Sequence, residues 1–316
     1  MLIRSADGLF WMGRYLERAG LICRMIQIQL SALIDRPLPE IHFGWSRIYG
    51  SLKTRPHGGM IEHPDDVFAL ADAFTLAGDL TLSRNFSSIK TCFEFGRENA
   101  RQMRHLISDE MWSSLNQCFL EFQKVEMHDV WRAEPEKFYA ALEREFETFF
   151  ALASATMYRD RAWHFIRLGR LLDRNQLTAS FMISHCQRSV EFPELRQTGV
   201  RTMLRTFRAE ESYRRMHGYE PHQHNAIDML VSDPNLSASL LTGISQIVRD
   251  LESIGHGIRG NRNDALDAAR TIALRVDQFR QDKRFRDSRL LDIESASLDL
   301  HNLIGSQYFS PDENER

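Results

Sequence analysis

The stretch SADGLFWMGRYLERAGLICRMIQIQLSAL, residues 5–33, carries one unbroken apolar stripe. The apolar residues recur at alternating spacings of three and four, at Leu9, Met12, Leu16, Ala19, Cys23, Ile26, Leu30 and Leu33. Because an α-helix repeats about every 3.6 residues, this spacing places all of them on one helix face. The pattern therefore predicts a long helix from Ser5 to Leu33, with Ser5 as its N-cap and Pro37 beyond its end.

A second stripe lies almost opposite the first, and it consists of Arg4, Asp7, Trp11, Arg14 and Arg18. A face that is only solvated rarely carries tryptophan, a large and mostly buried side chain. The sequence therefore predicts that this second face also contacts another surface.

The same periodicity test predicts helices along the rest of the chain and finds no strand run. The nine prolines fall between the apolar-periodic segments, which is typical of long helices. The clearest early breaks are 37–39 and 54–59. The fold class expected is all-α. The predicted helices are 65–82, 87–107, 109–127, 138–157, 159–188, 193–217, 222–231, 236–254, 264–280 and 287–303.

A repeat within the chain indicates a duplicated helical unit. WMGRYLER at residues 11–18 matches RLGRLLDR at residues 167–174, an offset of 156, and Asn85-Phe-Ser87 matches Asn235-Leu-Ser237 at an offset of 150. Self-similarity at nearly one offset is typical of repeated architectures, although chance similarity among Arg-rich helices is an alternative. We expect an internally duplicated bundle of long antiparallel helices, with units 1–157 and 158–308 and a disordered tail at 309–316.

Charge and cysteine content narrow the class of protein. The net charge of −3 over 316 residues disfavours a protein that coats nucleic acid through bulk electrostatics. There is no apolar run long enough for a membrane span, and the charged start is unlike a signal peptide. The four cysteines form no C-x-x-C pair, which fits buried thiols in a reducing compartment. The expected location is the cytoplasm.

Arginine is the dominant basic residue. Only five of the 40 basic residues are lysines, which leaves 35 arginines. Guanidinium groups suit carboxylate and phosphate ligands, but a GC-rich genome gives the same enrichment. A binding site therefore has to be identified from the positions of the arginines and not from their number.

The repeated Gly-Arg-x-x-Glu/Asp-Arg segment is the first candidate site. Glycine inside a helix is unfavourable, so Gly13 and Gly169 indicate a close helix crossing. We expect Glu17 to pair with Arg14 in the same helix and Arg18 to bind a partner across the crossing. The cluster would serve helix packing, bind an anion or contact a protein partner. Its members are Trp11, Arg14, Glu17, Arg18, Arg170, Asp173 and Arg174.

The second candidate site begins at a predicted helix start. A Ser87 or Ser88 hydroxyl can cap the helix, and the free N–H groups of a helix start attract anions. The arginines that follow are spaced along one face. A capped amphipathic helix with solvated charges and a phosphate or carboxylate cradle both fit the pattern. The residues concerned are Asn85, Ser87, Ser88, Arg97, Glu98, Asn99 and Arg101.

Other known chemistries leave no trace in the sequence. The histidines of HGYEPHQH, residues 217–224, match no zinc spacing, and no Glu-x-x-His pairs recur on the helices. There is no phosphate loop, no dinucleotide fingerprint and no G-x-S-x-G motif. We therefore predict no catalytic residue, no metal and no cofactor.

Three blocks carry a resemblance to a known family. MLIRSADGLFWMGRYLERA at 1–19, SSIKTCFEFGRENARQMRHLISDEMWSSLN at 87–116 and TMYRDRAWHFIRLGRLLDR at 156–174 resemble the Alpha-E domain family, an all-helical bacterial family. The blocks follow the family's order, and the resemblance extends to about residue 305. Gly96, Asp173 and Phe86 depart from the family's usual Ala, Glu and Pro.

What the resemblance implies is an association with other proteins. Members are typically encoded or fused beside circularly permuted ATP-grasp proteins and transglutaminase-like proteins. The expected function is a non-catalytic helical partner, or substrate-presenting subunit, of an ATP-grasp-type system that forms amide bonds or modifies peptides. The alternatives are a transferase or ligase with its own Arg-lined anion site and, less favoured, a helical RNA-binding or RNase module. No nucleic acid or membrane is expected as a partner, and a homo-oligomer is left open.

Overall fold

A computed structural model describes residues 2–31, 33, 37–57, 69–255, 263–281 and 286–310. These residues form fourteen α-helices and no strand, so the predicted all-α class is confirmed. The helices are α1 Ile3–Leu30, α2 Leu38–Ser51, α3 Ala69–Leu82, α4 Ile89–Gln102, α5 Asp109–Phe122, α6 Met127–Arg132, α7 Pro135–Thr156, α8 Arg161–Glu191, α9 Arg196–Thr206, α10 Glu210–His217, α11 Gln223–Ser232, α12 Leu240–Ile254, α13 Asp264–Asp277 and α14 Arg286–Tyr308.

Two long helices, α1 and α8, form the centre of the fold. Helix α1 packs against α4, α7 and α8, and α8 packs in the same way against α12, α14 and α1. Helix α5 joins α4 to α7 as α13 joins α12 to α14. Each half thus places four helices in the same arrangement, as expected if the chain is duplicated.

The direction of packing follows from which residues meet. Gly8 of α1 faces Met103, and Gly96 of α4 faces Leu16, so these two helices run antiparallel. Helices α1 and α8 are not antiparallel. Gly13 approaches Ile166, and Glu17 bonds with Arg170 and Arg174, which lie further along both helices. The two central helices therefore run in the same general direction where they cross.

Two shorter helices interlock the halves. Helix α2 follows α1 in the chain but packs on α8, and α9 follows α8 but packs also on α1. Each half thus contributes a helix to the other half's surroundings. The boundary at 157 and 158 stays a prediction, and the halves are not two bundles that merely touch.

The equivalent helix starts of α4 and α12 are capped in the same way. Ser88 Oγ accepts from Thr91 N at 3.2 Å, and Ser239 Oγ accepts from Thr242 N at 3.1 Å. The capping residue of α4 is Ser88 and not Ser87, so the structural offset here is 151, one more than the sequence match suggested.

Several predicted boundaries were wrong. Helix α1 begins at Ile3, and its N-cap, Leu2, makes no side-chain bond, while Ser5 is buried inside the first turn. Helix α2 was not predicted at all, because the prolines at 37 and 39 read as a break, although proline also fits the first turn of a helix. The predicted helix 193–217 is a 3-10 turn followed by α9 and α10. Residues 65–68 and most of the predicted tail, 311–316, lie outside the described residues.

The apolar stripe of α1 lies in the core of the fold. All its members from Leu9 to Leu30 are buried, and Leu33 packs against the core from outside the helix. Three of the four cysteines are buried free thiols, and Cys118 is half-buried. Within the described part of the chain, no helix combines the length and the apolar character needed to cross a membrane.

Candidate functional site

The two repeated glycines mark the closest approach of α1 and α8. A Cβ atom on Gly13 would overlap the carbonyl oxygen of Ile166, and one on Gly169 would overlap that of Phe10. Gly13 and Gly169 are 156 residues apart, and so are Phe10 and Ile166, so the two contacts are equivalent in the repeat. The glycines thus allow the backbones of the two central helices to touch, as their positions in the repeat predicted.

Six charged residues around these glycines form what we call the crossing cluster: Arg14, Glu17, Arg18, Arg170, Asp173 and Arg174. Its ion pairs are reciprocal. Asp173 accepts from Arg14 Nη2 at 2.9 Å and from Arg18 Nη2 at 3.0 Å. Glu17 accepts from Arg170 Nε at 2.9 Å and from Arg174 Nε at 2.5 Å. Each helix therefore supplies one carboxylate that binds two arginines of the other helix.

The pairing differs from the expectation for Glu17. We predicted an intrahelical pair of Glu17 with Arg14, but both side chains point into the crossing and find their partners on α8. Bonds across the crossing are favoured because the Glu17 carboxylate can accept from two guanidinium groups there. The ion pairs thus fix which turns of the two helices meet.

Burial and charge set the protonation of the crossing cluster. Burial raises the pKa of Glu17, but Arg174 and Arg170 outweigh that effect and lower the pKa to about 2. Asp173 raises the pKa of Arg18, whereas burial lowers the pKa of Arg14. Glu17 is thus ionised at neutral pH, which the four guanidinium groups require.

Four guanidinium groups share two carboxylates, and neutral groups accept further hydrogen bonds from Arg14. Arg14 donates to Gln176 Oε1 at 2.6 Å and lies 2.7 Å from His301 Nδ1. Burial, and then Arg14 itself, lower the pKa of His301 to about 4, so the ring is neutral and can accept. Arg170 lies over the Phe150 ring at 4.1 Å. This geometry favours the packing role of the cluster over that of an anion site.

The second candidate group is not brought together into one cradle. The Ser88 hydroxyl caps α4 and donates to Ser83 O at 2.6 Å, while Asn85 Oδ1 accepts from Ser87 N at 2.9 Å. Arg97 lies nine residues further along, about two and a half turns or about 13 Å at 1.5 Å per residue.

The charged residues of α4 have separate partners. Arg97 donates to Asn116 Oδ1 at 2.7 Å and lies over the Trp112 ring of α5. Arg101 pairs with Glu98 of its own helix in an exposed position, and Asn99 is half-buried. This group thus consists of a capped helix start and a charged helix face.

A surface that the sequence did not predict lies beside the crossing cluster. Four aromatic rings follow one another from α1 to the middle of α4 and the segment before α4, and we call them the aromatic row: Trp11, Tyr15, Phe95 and Phe86. Successive ring centroids are 5.3, 5.4 and 6.2 Å apart. Phe95 is 41% exposed and Phe86 is 70% exposed. Trp11 and Tyr15 are half-buried, so the row runs from the core to two exposed rings, and exposed apolar side chains that lie together are typical of an interaction site.

Helix packing explains how the aromatic row forms. A Cβ atom on Gly96 would lie 2.6 Å from Leu16 Cδ2 and 3.5 Å from Tyr15 Cβ. The absence of a side chain at this glycine therefore allows α4 to pack closely on α1. The close approach places Phe95 against Tyr15. Tyr15 and Phe95 are 80 residues apart in the chain, and only Trp11 gave a signal in the sequence.

The remaining chemistry is sparse. Among the described residues, no group of three or more His, Cys, Asp or Glu side chains is arranged to hold a metal ion. Burial raises the pKa of the Cys92, Cys118 and Cys186 thiols to about 12. Thiols that stay protonated are poor nucleophiles.

Acid should weaken the crossing cluster in a defined pH window. The folded pKa of Glu17 is about 2 and its ordinary value is 4.5, so protonation favours the unfolded chain. The stabilisation is therefore complete above pH 4.5 and is lost as the pH falls towards 2. Denaturation of the protein and of Glu17→Gln between pH 7 and pH 2.5 measures this effect. We expect their difference in stability to shrink below pH 4.5, and a difference that stays constant would contradict the pairing.

Comparison with known proteins assigns the chain to a family. The family model Alpha-E, described as a predicted alpha-helical domain with a conserved ER motif, matches residues 1–309. Glu17-Arg18 is a Glu-Arg pair within the crossing cluster, and Glu143-Arg144 is another in α7. The searches of curated proteins and of solved structures found no match.

Proposed function

Because the chain belongs to the Alpha-E family, we propose that it is a non-catalytic helical subunit of an ATP-grasp-type system that forms amide bonds or modifies peptides. It docks the ATP-grasp-type protein, or presents that protein's substrate, through the aromatic row. The exposed rings are the observation that carries the proposal. The class of partner comes from the family resemblance and not from the geometry.

The aromatic row has the composition of an interface centre. Aromatic side chains and arginine are enriched among the residues that contribute most to protein binding. Arg18 follows Tyr15 by one turn on α1, and it shares the Asp173 carboxylate with Arg14. The Asp7 carboxylate, which hydrogen-bonds with the Trp11 side chain, lies at the same edge, so the edge carries charges of both signs. It fits a partner surface that presents apolar side chains with charged groups at its rim.

The state of the polar groups supports a non-catalytic role. The arginines that a transferase or ligase would use for its own anion site are engaged in two separate places. Arg14 and Arg170 bind across the central crossing, whereas Arg97 and Arg101 bind within α4 and α5. This alternative stays a prediction without an assembled pocket. Thermal melting with nucleotides, amino acids and short acidic peptides tests it, because ligand binding to the folded state raises its stability.

Co-purification with the ATP-grasp-type protein encoded nearby tests the proposal. We expect a complex at micromolar concentration and at least tenfold weaker binding by the double variant Phe86→Ser, Phe95→Ser, because interface rings contribute about 1–2 kcal/mol or more each. The matched control is Tyr219→Ser, since Tyr219 is 82% exposed and lies outside the row. This control should bind like the unaltered protein.

Three outcomes would overturn the proposal. One is a monodisperse protein that ignores the ATP-grasp-type partner, and another is a double variant that binds it normally. The third is binding of single-stranded RNA by the row in place of the protein partner, since exposed rings also stack on bases. The net charge of −3 disfavours this last outcome.

A further inference from the structure

A groove of about 560 Å³ lies between α1, α7 and the turn that joins α9 to α10. Its floor is a closed ring of alternating charges. Arg24 binds both Glu143 and Glu147, the latter at 3.1 Å. Arg208 binds the same two carboxylates from outside, at 2.8 and 2.7 Å. We call this feature the ionic groove, and Glu143 at its base is buried.

The duplication supplies a natural comparison for this groove. Lys53, at the end of α2, pairs with Glu294 of α14 at 3.0 Å, as Arg208, at the end of α9, pairs with Glu143 of α7. Lys53 and Arg208 have φ angles of 51° and 53°, and among the described residues they are the only non-glycine positions in the left-handed region. The two ion pairs are thus equivalent joints, and each links one half to the other.

The joint between Lys53 and Glu294 contains fewer charged groups than the joint between Arg208 and Glu143. Ser180 stands where the first half has Arg24, at the repeat offset of 156, and its hydroxyl donates to Glu294. Leu298 stands where the first half has Glu147, at the offset of 151 that relates Glu143 to Glu294. One lysine, one serine and one glutamate therefore suffice for the structural role. The additional charges of the ionic groove exceed what the joint needs.

Further charged residues line the groove above the ring: Arg144, Arg205, Glu210 and Glu211. Arg205 and Glu210 approach each other only to 3.9 Å. Within the described part of the chain, the Arg144 guanidinium and the Glu211 carboxylate form no ion pair. The groove as a whole contains four arginines and four glutamates. A ligand that carries both a positive and a negative group matches this balance, whereas a simple anion or cation does not.

We propose that the ionic groove binds a zwitterionic compound, an amino acid or a short peptide with a free amino or guanidinium group and a carboxylate. Arg144 and Arg205 receive the carboxylate, and Glu210 and Glu211 receive the cationic group. Arg208, whose side chain is 57% exposed, lies on the outer side of the groove and adds to the positive charge that attracts the carboxylate of the ligand. The proposal stands apart from partner docking, because the aromatic row involves other residues.

Calorimetric titration with the dipeptide alanylalanine, whose only charged groups are its amino and carboxyl ends, tests the proposal. We expect saturable binding that weakens at least tenfold when the dipeptide is acetylated at its amino end or amidated at its carboxyl end. Glu211→Gln and Arg144→Gln, which break no ion pair of the fold, should each weaken binding by a similar factor. Phe86→Ser should leave the affinity unchanged, so failure here is distinguishable from failure of docking.

Arg208→Met and Lys53→Met form a matched pair, because each removes the outer cation of one joint. Both should lower the melting temperature, but only Arg208→Met should weaken peptide binding. Absence of saturable binding at millimolar dipeptide overturns the proposal, as does an equal loss of affinity in the two variants. Binding of inorganic phosphate in place of the dipeptide also overturns it, because the groove would then be an anion site.

Discussion

Replacement of Glu17 by alanine is expected to lower the free energy of unfolding by about 3 to 5 kcal/mol, as is typical when one partner of a buried ion pair is removed. The change leaves Arg170 and Arg174 without their carboxylate. It also raises an existing excess of positive charge in the crossing cluster. The expected loss concerns these two arginines of α8, and not Arg14, whose carboxylate partner is Asp173. Urea denaturation followed by circular dichroism measures it.

Glu98→Ala provides the matched control for this prediction. Glu98 also binds an arginine, but the Glu98–Arg101 pair lies within one helix and is exposed. Exposed pairs contribute little to stability because solvent screens them, so this variant should stay close to the unaltered protein. If Glu17→Ala costs no more than Glu98→Ala, the crossing cluster is not the element that holds α1 to α8. Asp173→Ala should behave like Glu17→Ala, because the two carboxylates are equivalent in the duplication.

Much of the fold was open to prediction because it depends on local patterns. The spacing of three and four residues in α1 reports burial directly, since a helix face that is apolar along its length must be covered. The duplication then indicated that α8 repeats α1. Helix α2 was not predicted because its apolar residues, such as Trp45 and Tyr49, lie among glycines and follow two prolines. Tertiary packing on α8 outweighs that weak local preference.

It could be predicted from the sequence which residues belong to the crossing cluster, but not which of them form ion pairs with each other. Gly13 and Gly169 identified the crossing, and the repeat identified the six charged residues around it. Which arginine binds Glu17 depends on how the two helices are rotated and shifted, and no spacing within one helix contains that information. The intrahelical pair with Arg14 was the best local choice, and it was wrong because a tertiary partner was available.

The aromatic row and the ionic groove could not be predicted from the sequence for a related reason. Phe86 and Tyr15 are 71 residues apart, and Arg208 and Glu143 are 65 apart. Contacts at such separations follow from the whole fold and not from a motif. Even so, the offset of 155 between Lys53 and Arg208 was present in the sequence, and it becomes meaningful only once both residues are seen to end equivalent helices.

Replacement of Gly13 or Gly169 by alanine is the second change with a large expected effect, a loss of about 3 kcal/mol or more. Overpacking of a core by one methyl group typically costs about 1–3 kcal/mol when side chains can move. Here the added Cβ would meet backbone, the carbonyl of Ile166 or of Phe10, so the helices themselves must separate. Their separation would also lengthen the ion pairs of the crossing cluster, and the loss should therefore exceed that of ordinary overpacking.

Gly305→Ala is the matched control, because Gly305 also lies inside a helix but a Cβ atom there meets no atom within 4 Å. Alanine is the better helix former, so this variant should gain about 0.5–1 kcal/mol. Urea denaturation of the three variants thus compares one chemical change with opposite expected signs. If Gly13→Ala and Gly169→Ala also gain stability, α1 and α8 do not touch at these residues. The ion pairs of Glu17 with Arg170 and Arg174 would then have to form between helices that lie further apart.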